Sequence, residues 1–451
     1  MAKGQLEGAC VTYDIPQITS SPLPTGDLPS LVEHKAARFA AIVILYFMQG
    51  VPIGLGLIAI PAWLAANGAT PVQVGAFVGT IMLPWSLKLV NGLIMDRFAF
   101  KPMGRRRGWI LAAQALMAAT LMTLAVLAPG PQDIAILTVF VFILNVCAAF
   151  NDVAVDGMTV DIVPESERPL LNSLMFTGQA IGLSSTGFIA GALLVEGSMM
   201  VPALIFGTFV ALASTFVALF RERPGERLLP WTVGQASKEC LERQQDAFWP
   251  ILKGVVLSTI KPTTLIFLAA MGLAMGTGAY LDAVAATLAV QQLGWASDEY
   301  SGLFGGISLA GAALCVILGA PSVRAFGLRN ALILIFCLHF VMALFAAFTL
   351  AEWGGGYLFP VTVFIQFMAH MLTLVVGCVW LMHLCDPKVA ASQFALFMAT
   401  PNLFRSFFAG NSGSVIEAGG YQAIFFAIAG LAALGLVALL FARVENIRSA
   451  G

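Results

Sequence analysis

The sequence predicts an all-α membrane protein, with twelve transmembrane helices in two six-helix, pseudo-symmetric bundles. Three observations predict it. Of 451 residues, 59% are hydrophobic and only 10% charged, and the mean hydropathy is +0.89, far from a soluble domain. The apolar residues fall in runs of about 20, the length that crosses a bilayer as a helix. The basic residues alternate from loop to loop, as topology requires.

Six runs lie at 38–65, 72–95, 108–128, 133–157, 170–194 and 201–220. Six more lie at 262–290, 300–320, 329–350, 357–384, 391–413 and 420–442. The expected organisation is therefore a polar, Pro-rich tail at 1–37, a first bundle at 38–220, a linker at 221–261, a second bundle at 262–442 and a tail at 443–451. The first tail has no apolar segment followed by a cleavage site, so it reads as a flexible cytoplasmic tail and not a signal peptide. The linker carries six basic and five acidic residues before Lys261.

Of 23 Lys and Arg, 21 fall in the tails or in the loops after even-numbered spans. The six opposite loops instead carry Asp133, Glu196, Asp298, Glu299, Glu352 and Glu417. Both termini are expected in the cytoplasm, because cytoplasmic loops hold the excess of Lys and Arg. The remaining two, Lys88 and Arg405, lie inside spans.

Composition excludes several function classes. Net charge is −1, and no basic tract suggests nucleic acid. Cys10, Cys147, Cys240, Cys315, Cys337, Cys378 and Cys385 show no CxxC spacing, so they read as core residues and not as metal ligands or disulfides. No GxxxxGK[ST] loop cradles a phosphate, and no HExxH or paired nucleophile suggests an enzyme. No cofactor is expected. The pairs Gly50/Gly54, Gly75/Gly79, Gly178/Gly182, Gly187/Gly191 and Gly302/Gly306 read as sites where helices approach closely.

The stretch Ile134–Arg168 organises the candidate site. It is an apolar helix that places Asp152 and Asp156 one turn apart, before Asp161, Pro164 and Arg168 in a polar loop. Residues at i and i+4 share a helix face. Carboxylates inside an apolar span are costly and tend to face a bundle interior or a water-filled cavity.

The two halves echo each other weakly. Gly92-Leu-Ile-Met-Asp96-Arg97 precedes Gly104-Arg-Arg-Arg107, and Gly319-Ala-Pro-Ser-Val-Arg324 precedes Gly327-Leu-Arg329. Such repeats mark six-plus-six transporters. The first copy resembles the loop signature of the major facilitator superfamily. Leu45-Tyr46 with Gln49 to Leu55, Leu83 to Lys88 leading to Asp96-Arg97, and Asn151-Asp152-Val-Ala-Val-Asp156-Gly157 narrow the resemblance. Together they are similar to the peptide–acetyl-coenzyme A–drug transporter branch. Its members include AmpG-type muropeptide permeases, acetyl-coenzyme A transporters and siderophore permeases.

The resemblance implies a secondary active transporter of the inner membrane, an alternating-access permease and symporter. It implies that helices one, four, seven and ten line the cavity. Of the ionisable residues inside spans, Asp152 and Asp156 fall on the fourth, Asp282 on the seventh, His370 and His383 on the tenth, and only His339 on a peripheral one, the ninth. Asp152, Asp156 and His370 are expected to couple a proton. Arg405, Lys88, Gln49 and Asp282 are expected to bind solute. Asp96, Arg97, Arg105, Arg107 and Asp161 are expected to gate the path.

Alternatives stand beside these roles. Asp152 and Asp156 also suit a structural anchor, and Lys88 suits either of them as partner. Arg405, about 21 Å into its span, suits an anionic ligand or a fixed pair with another helix's carboxylate. The expected partners are a small amphipathic or anionic solute, a coupling proton and the lipid bilayer, with no nucleic acid and a monomeric chain. A non-transporting membrane assembly factor of the same superfamily is the alternative function.

Overall fold

A computed structural model describes residues 30–242, 253, 256–257, 259–354, 356–385 and 390–441. The expectations for 1–29, for 443–451, for Cys10 and for most of the linker stretch 243–258 fall outside the described residues. Among them, regular structure is helical apart from one isolated bridge between Ser30 and Arg221.

The chain forms α1 (Lys35–Ala66), α2 (Pro71–Arg97), α3 (Arg107–Leu127), α4 (Ile134–Ile162), α5 (Arg168–Leu194) and α6 (Met200–Ala218). A short helix, Lys238–Glu242, lies in the linker. Then come α7 (Pro262–Gln292), α8 (Ser297–Thr349), α9 (Leu358–Leu384) and α10 (Ala390–Phe441). Among the described residues, nine stretches are long and apolar enough to cross a membrane.

Two helical stretches, α8 and α10, are each two helices joined at a turn and together too long for one crossing. The 53 residues of α8 would extend about 80 Å at 1.5 Å per residue, against a hydrocarbon core of about 30 Å. The chain turns within α8 at Gly327, whose φ of 73° suits glycine, and within α10 at Gly419 and Gly420. The second arms run antiparallel. Arg329 donates to the Leu439 and Leu440 carbonyls, and at the far end Gln422 donates to the Ala347 carbonyl.

Local sequence explains the shape of α1 and α2. Pro52 lacks the N–H that would close its helical turn, and a π turn follows at Leu55–Ala59. A capping box opens α2: Gln73 N donates to Thr70 Oγ1 at 3.2 Å and Thr70 N donates to Gln73 Oε1 at 2.8 Å. Pro84 then breaks α2 into a 3₁₀ turn at Leu83–Leu87, and Lys88 restarts the helix.

Helices α1–α6 and α7–α10 meet along two seams, α2 against α10 and α5 against α8. Small residues make both possible. A Cβ on Gly79 would strike Gly410, and one on Gly191 would strike Ser301. Within the first group, Gly50, Gly54, Gly178 and Gly182 bring α1 and α5 together. The expected pair Gly302/Gly306 is a correction: nothing lies within 4 Å of an added Cβ at Gly306, and Gly305 makes the close approach instead, 3.0 Å from the Ser184 carbonyl.

The basic side of the molecule is tied by the linker. Leu31 N donates to the Arg221 carbonyl at 2.8 Å and Arg227 N to the Pro102 carbonyl at 2.7 Å. Leu31 is buried, and Arg38 donates to the Leu31 and Val32 carbonyls and to Glu167. The last residues before α1 are therefore docked, where the sequence suggested a free tail. On the opposite side, Gln291 of α7 donates to the Ala65 and Ala69 carbonyls of the first group.

Candidate functional site

Asp152 and Asp156 share one face of α4 but bond to different helices. Lys88 Nζ lies 2.6 Å from Asp152 Oδ2. Tyr46 of α1 donates its hydroxyl to Asp156 Oδ1. The break at Pro84 brings both Trp85 and Lys88 against α4. Trp85 Nε1 donates to Asn145 Oδ1 at 2.8 Å, and Lys88 Nζ stands 5.0 Å from the centre of the Trp85 ring. Asn151 Nδ2 donates to the Leu45 carbonyl, fixing α4 against α1 beside Tyr46.

These groups differ in access. Asp152 and Tyr46 are buried, Lys88 is half-buried and Asp156 is exposed. At the opposite end, residues 55–65 of α1 and 283–289 of α7 are all buried. The helices are closely packed at that end. A paired carboxylate and ammonium with one exposed acid beside them can bind, hold and release a proton inside the membrane.

A second ionic pair lies elsewhere. Arg405 Nη2 of α10 bonds Asp282 Oδ2 of α7 at 2.7 Å. The sequence offered the two as separate solute-binding candidates, and the structure joins them. His370 is buried against Gly278, and together with Thr277, Asp282, His339 and Gln366 it lines a cavity of about 10 Å³. That is the room of about one water. Gln366 ties α9 to α8 through the His339 ring at 2.7 Å, so His339 is a packed residue with a partner.

Gln49, expected on the solute path, is fully buried at the α1–α5 crossing, where Gln179 Nε2 donates to its Oε1 at 3.0 Å. His383 bonds the Val379 carbonyl of its own helix.

The expected gating residues separate into three environments. Asp96 accepts from Arg105 at 2.9 Å and from Arg106 at 2.7 Å. Gly104, with φ of 93°, turns the chain so that both arginines reach back. Arg106 lies over Gly157 of α4, and burial lowers its pKa below the ordinary guanidinium range. Arg107 was expected in the gate, yet it is buried and donates to the Ala218, Arg227 and Leu228 carbonyls. It holds the linker. Arg97 is exposed. Asp161 was expected in a loop but sits on the last turn of α4, and its carbonyl accepts from Arg223. Arg168 closes that helix end by donating to the Val160 and Val163 carbonyls.

Below these residues lies a buried charge cluster in the linker. Glu222 and Glu226 are fully buried. Arg223 bonds Glu222 at 2.7 Å, and Ser237 donates to Glu226 at 2.7 Å. Burial and the neighbouring Glu226 charge push the Glu222 carboxyl up to about 7 despite its Arg223 partner.

Four contributing residues were not picked out from sequence as site members. Tyr46 and Trp85 stood inside quoted motifs, Asn145 among neutral polar residues and Arg106 between two chosen arginines. For the first three a polar or aromatic side chain within a span is the available signal, and for Arg106 its place in the Arg105–Arg107 run.

The sequence model of the Major Facilitator Superfamily matches residues 42–409. The chain belongs to the major facilitator superfamily. It is a multi-pass membrane transporter and not an enzyme. It is 24% identical over 425 residues to the Anhydromuropeptide permease of Escherichia coli K12, covering 90% of this chain and 80% of that one. An uncharacterized Haemophilus influenzae protein is 23% identical, covering 88% of this chain and 92% of that one. The nucleoside transporter NupG superposes with a TM-score of 0.65 at 14% identity, over 89% of this chain and 97% of that one. A D-xylose-proton symporter superposes with a TM-score of 0.66 at 12% identity, over 90% and 96%. At these identities the superpositions show the shared fold alone.

Proposed function

We propose that the chain is a proton-driven symporter of the bacterial inner membrane that moves a muropeptide-like, amphipathic and anionic solute by alternating access. The carrying observation is the pair of contacts on one face of α4: Lys88 with Asp152, and Tyr46 with Asp156. Charged groups persist inside a span at high cost and mark ion or substrate pathways. Here Asp152 exchanges its proton, Lys88 compensates the carboxylate between turnovers, and Asp156 meets the open side.

In this reading the chain makes twelve passes in two six-helix bundles, at 38–220 and 262–442, joined by the linker 221–261. The breaks at Gly327 and Gly419–Gly420 divide α8 and α10 into two passes each. Both termini lie in the cytoplasm, so the open side faces inward. Asp96 with Arg105 and Arg106 forms the cytoplasmic gate beside Asp161. Arg405 and Asp282 belong to solute binding, with His370 beside them. The chain acts as a monomer.

The muropeptide class rests on the resemblance of the first-half motifs and on the aligned permease; the siderophore option has no such support. Buried ion pairs in the spans also argue against an inert assembly factor, whose core would gain by apolar replacement.

The deciding experiment is uptake of a labelled anhydromuropeptide into proteoliposomes under an imposed pH gradient. Accumulation should exceed equilibrium and collapse with a protonophore. Uptake that ignores the gradient would remove proton coupling, and no uptake of the probe would remove the substrate class.

A further inference from the structure

The Arg405–Asp282 pair is built unlike a structural salt bridge. Its contact is single, Nη2 to Oδ2 at 2.7 Å. A guanidinium has five N–H donors in a planar fork and a carboxylate has two acceptor oxygens, so most of the pair's capacity is unspent. Arg405 Nε is buried with no partner. Buried ion pairs hold a fold well only when additional bonds satisfy the remaining donors and lone pairs.

The pair also touches open space. The side chain of Asp282 is 16% exposed and that of Arg405 20%, although Leu281 and Ala283 beside Asp282 are buried. Part of the Asp282 exposure is to the interior. Asp282 lines the same small cavity as His370, which is 4% exposed and whose Nδ1 has no partner. Thr277 and Gln366 complete a polar wall there.

We propose that this pair is the recognition site for a zwitterionic portion of the solute, one carboxylate and one ammonium. The inference rests on the transporter reading and narrows its substrate class. The ligand carboxylate replaces Asp282 on the Arg405 fork, and the ligand ammonium takes the released Asp282. One protein–protein pair is exchanged for two protein–ligand pairs, and no buried charge is left alone. A solute with only a carboxylate would displace Asp282 and strand it. One with only an ammonium would strand Arg405. The site therefore favours the doubly charged ligand over either single charge. His370 Nδ1 is placed for a neutral polar group beside the ammonium. In the observed conformation the pair is closed, and it must part to admit ligand.

The test uses the full chain in proteoliposomes and three forms of one muramyl tripeptide ending in a diamino acid. One has free carboxylates and a free ammonium, one has its ammonium acetylated, and one has its carboxylates amidated. Counterflow exchange measures binding and translocation without a pH gradient. The parent should exchange, and each capped form should compete about tenfold more weakly or worse. The variant carrying both Arg405→Gln and Asp282→Asn leaves no unpaired charge. It should melt near the wild type and lose the parent's exchange by a similar factor. Equal competition by all three forms would overturn the zwitterion site and leave the transporter intact. So would full exchange by the double variant. Failure of the wild type to exchange any form would instead sink the muropeptide-transporter reading, and the inference with it.

Discussion

Lys88 of α2 holds Asp152 of α4 at 2.6 Å, while Asp156, one turn further on, is held by Tyr46 of α1. Two acids on one helical face thus report to two different helices. Movement of α1 or α2 relative to α4 would change one contact without the other.

Asp152→Asn should abolish accumulation against a gradient and spare counterflow, because exchange need not release the proton. Lys88→Met should instead destabilise, by about 3 kcal/mol, since it strands a buried carboxylate. Adding Asp152→Asn to Lys88→Met should recover most of that loss in thermal melting. Normal gradient-driven uptake by Asp152→Asn would take this residue out of coupling.

Tyr46→Phe removes only the hydroxyl donated to Asp156. The exposed acid can be rehydrated, so the stability cost should be about 1 kcal/mol. Gradient-driven uptake should fall well below wild type while counterflow changes little. A variant equal to wild type in both assays would leave Tyr46 a packing residue.

The linker anchor Arg107 and the exposed Arg97 should behave oppositely. Arg107→Ala leaves three carbonyls without their buried donor and should cost on the order of 3 kcal/mol. Arg97→Ala, at an exposed position, should stay within about 0.5 kcal/mol of wild type. Paired melting curves check both, and similar losses in the two variants would contradict the assignment.

Glu222 gives the fold a pH dependence with a definite sign. Its carboxyl titrates near 4.5 when unfolded and near 7 when folded. Between those values the folded state binds more protons, so stability falls as pH rises. The loss is complete above pH 7 and on the order of 3 kcal/mol. Glu222→Gln should flatten that slope and raise the melting temperature at pH 8. An unchanged slope would mean that the cluster does not hold its proton.

Orientation is tested at exposed loop positions. Glu196→Cys should react with an impermeant thiol reagent from outside intact cells, and Lys101→Cys and Glu165→Cys should react only after permeabilisation. Reversed labelling would invert the placement of the termini and of the open side.

The sequence by itself determined the helical membrane class, because apolar length and one-sided basic loops are set by the bilayer and need no tertiary knowledge. It also placed the ionisable residues within spans, since a charge is conspicuous in an apolar run. Periodicity even put Asp152 and Asp156 on a common face. It also separated the two arms of α8 and of α10, since the turns at Gly327 and at Gly419–Gly420 fall at the loops expected after 320 and after 413.

Only the tertiary structure decided who meets whom. Lys88 had two candidate acids equally near along the sequence pattern, and the 3₁₀ turn at Leu83–Leu87 directs it to Asp152. Gln49 was a polar residue on a cavity-lining helix, yet the rotation of α1 turns it into the α5 crossing. Arg405 and Asp282 stand 123 residues apart and still form one pair. A period of 3.6 residues fixes which side chains share a face of one helix. The rotation of that helix, and the neighbour its face meets, are fixed by side-chain packing across the seams, a property of several segments at once.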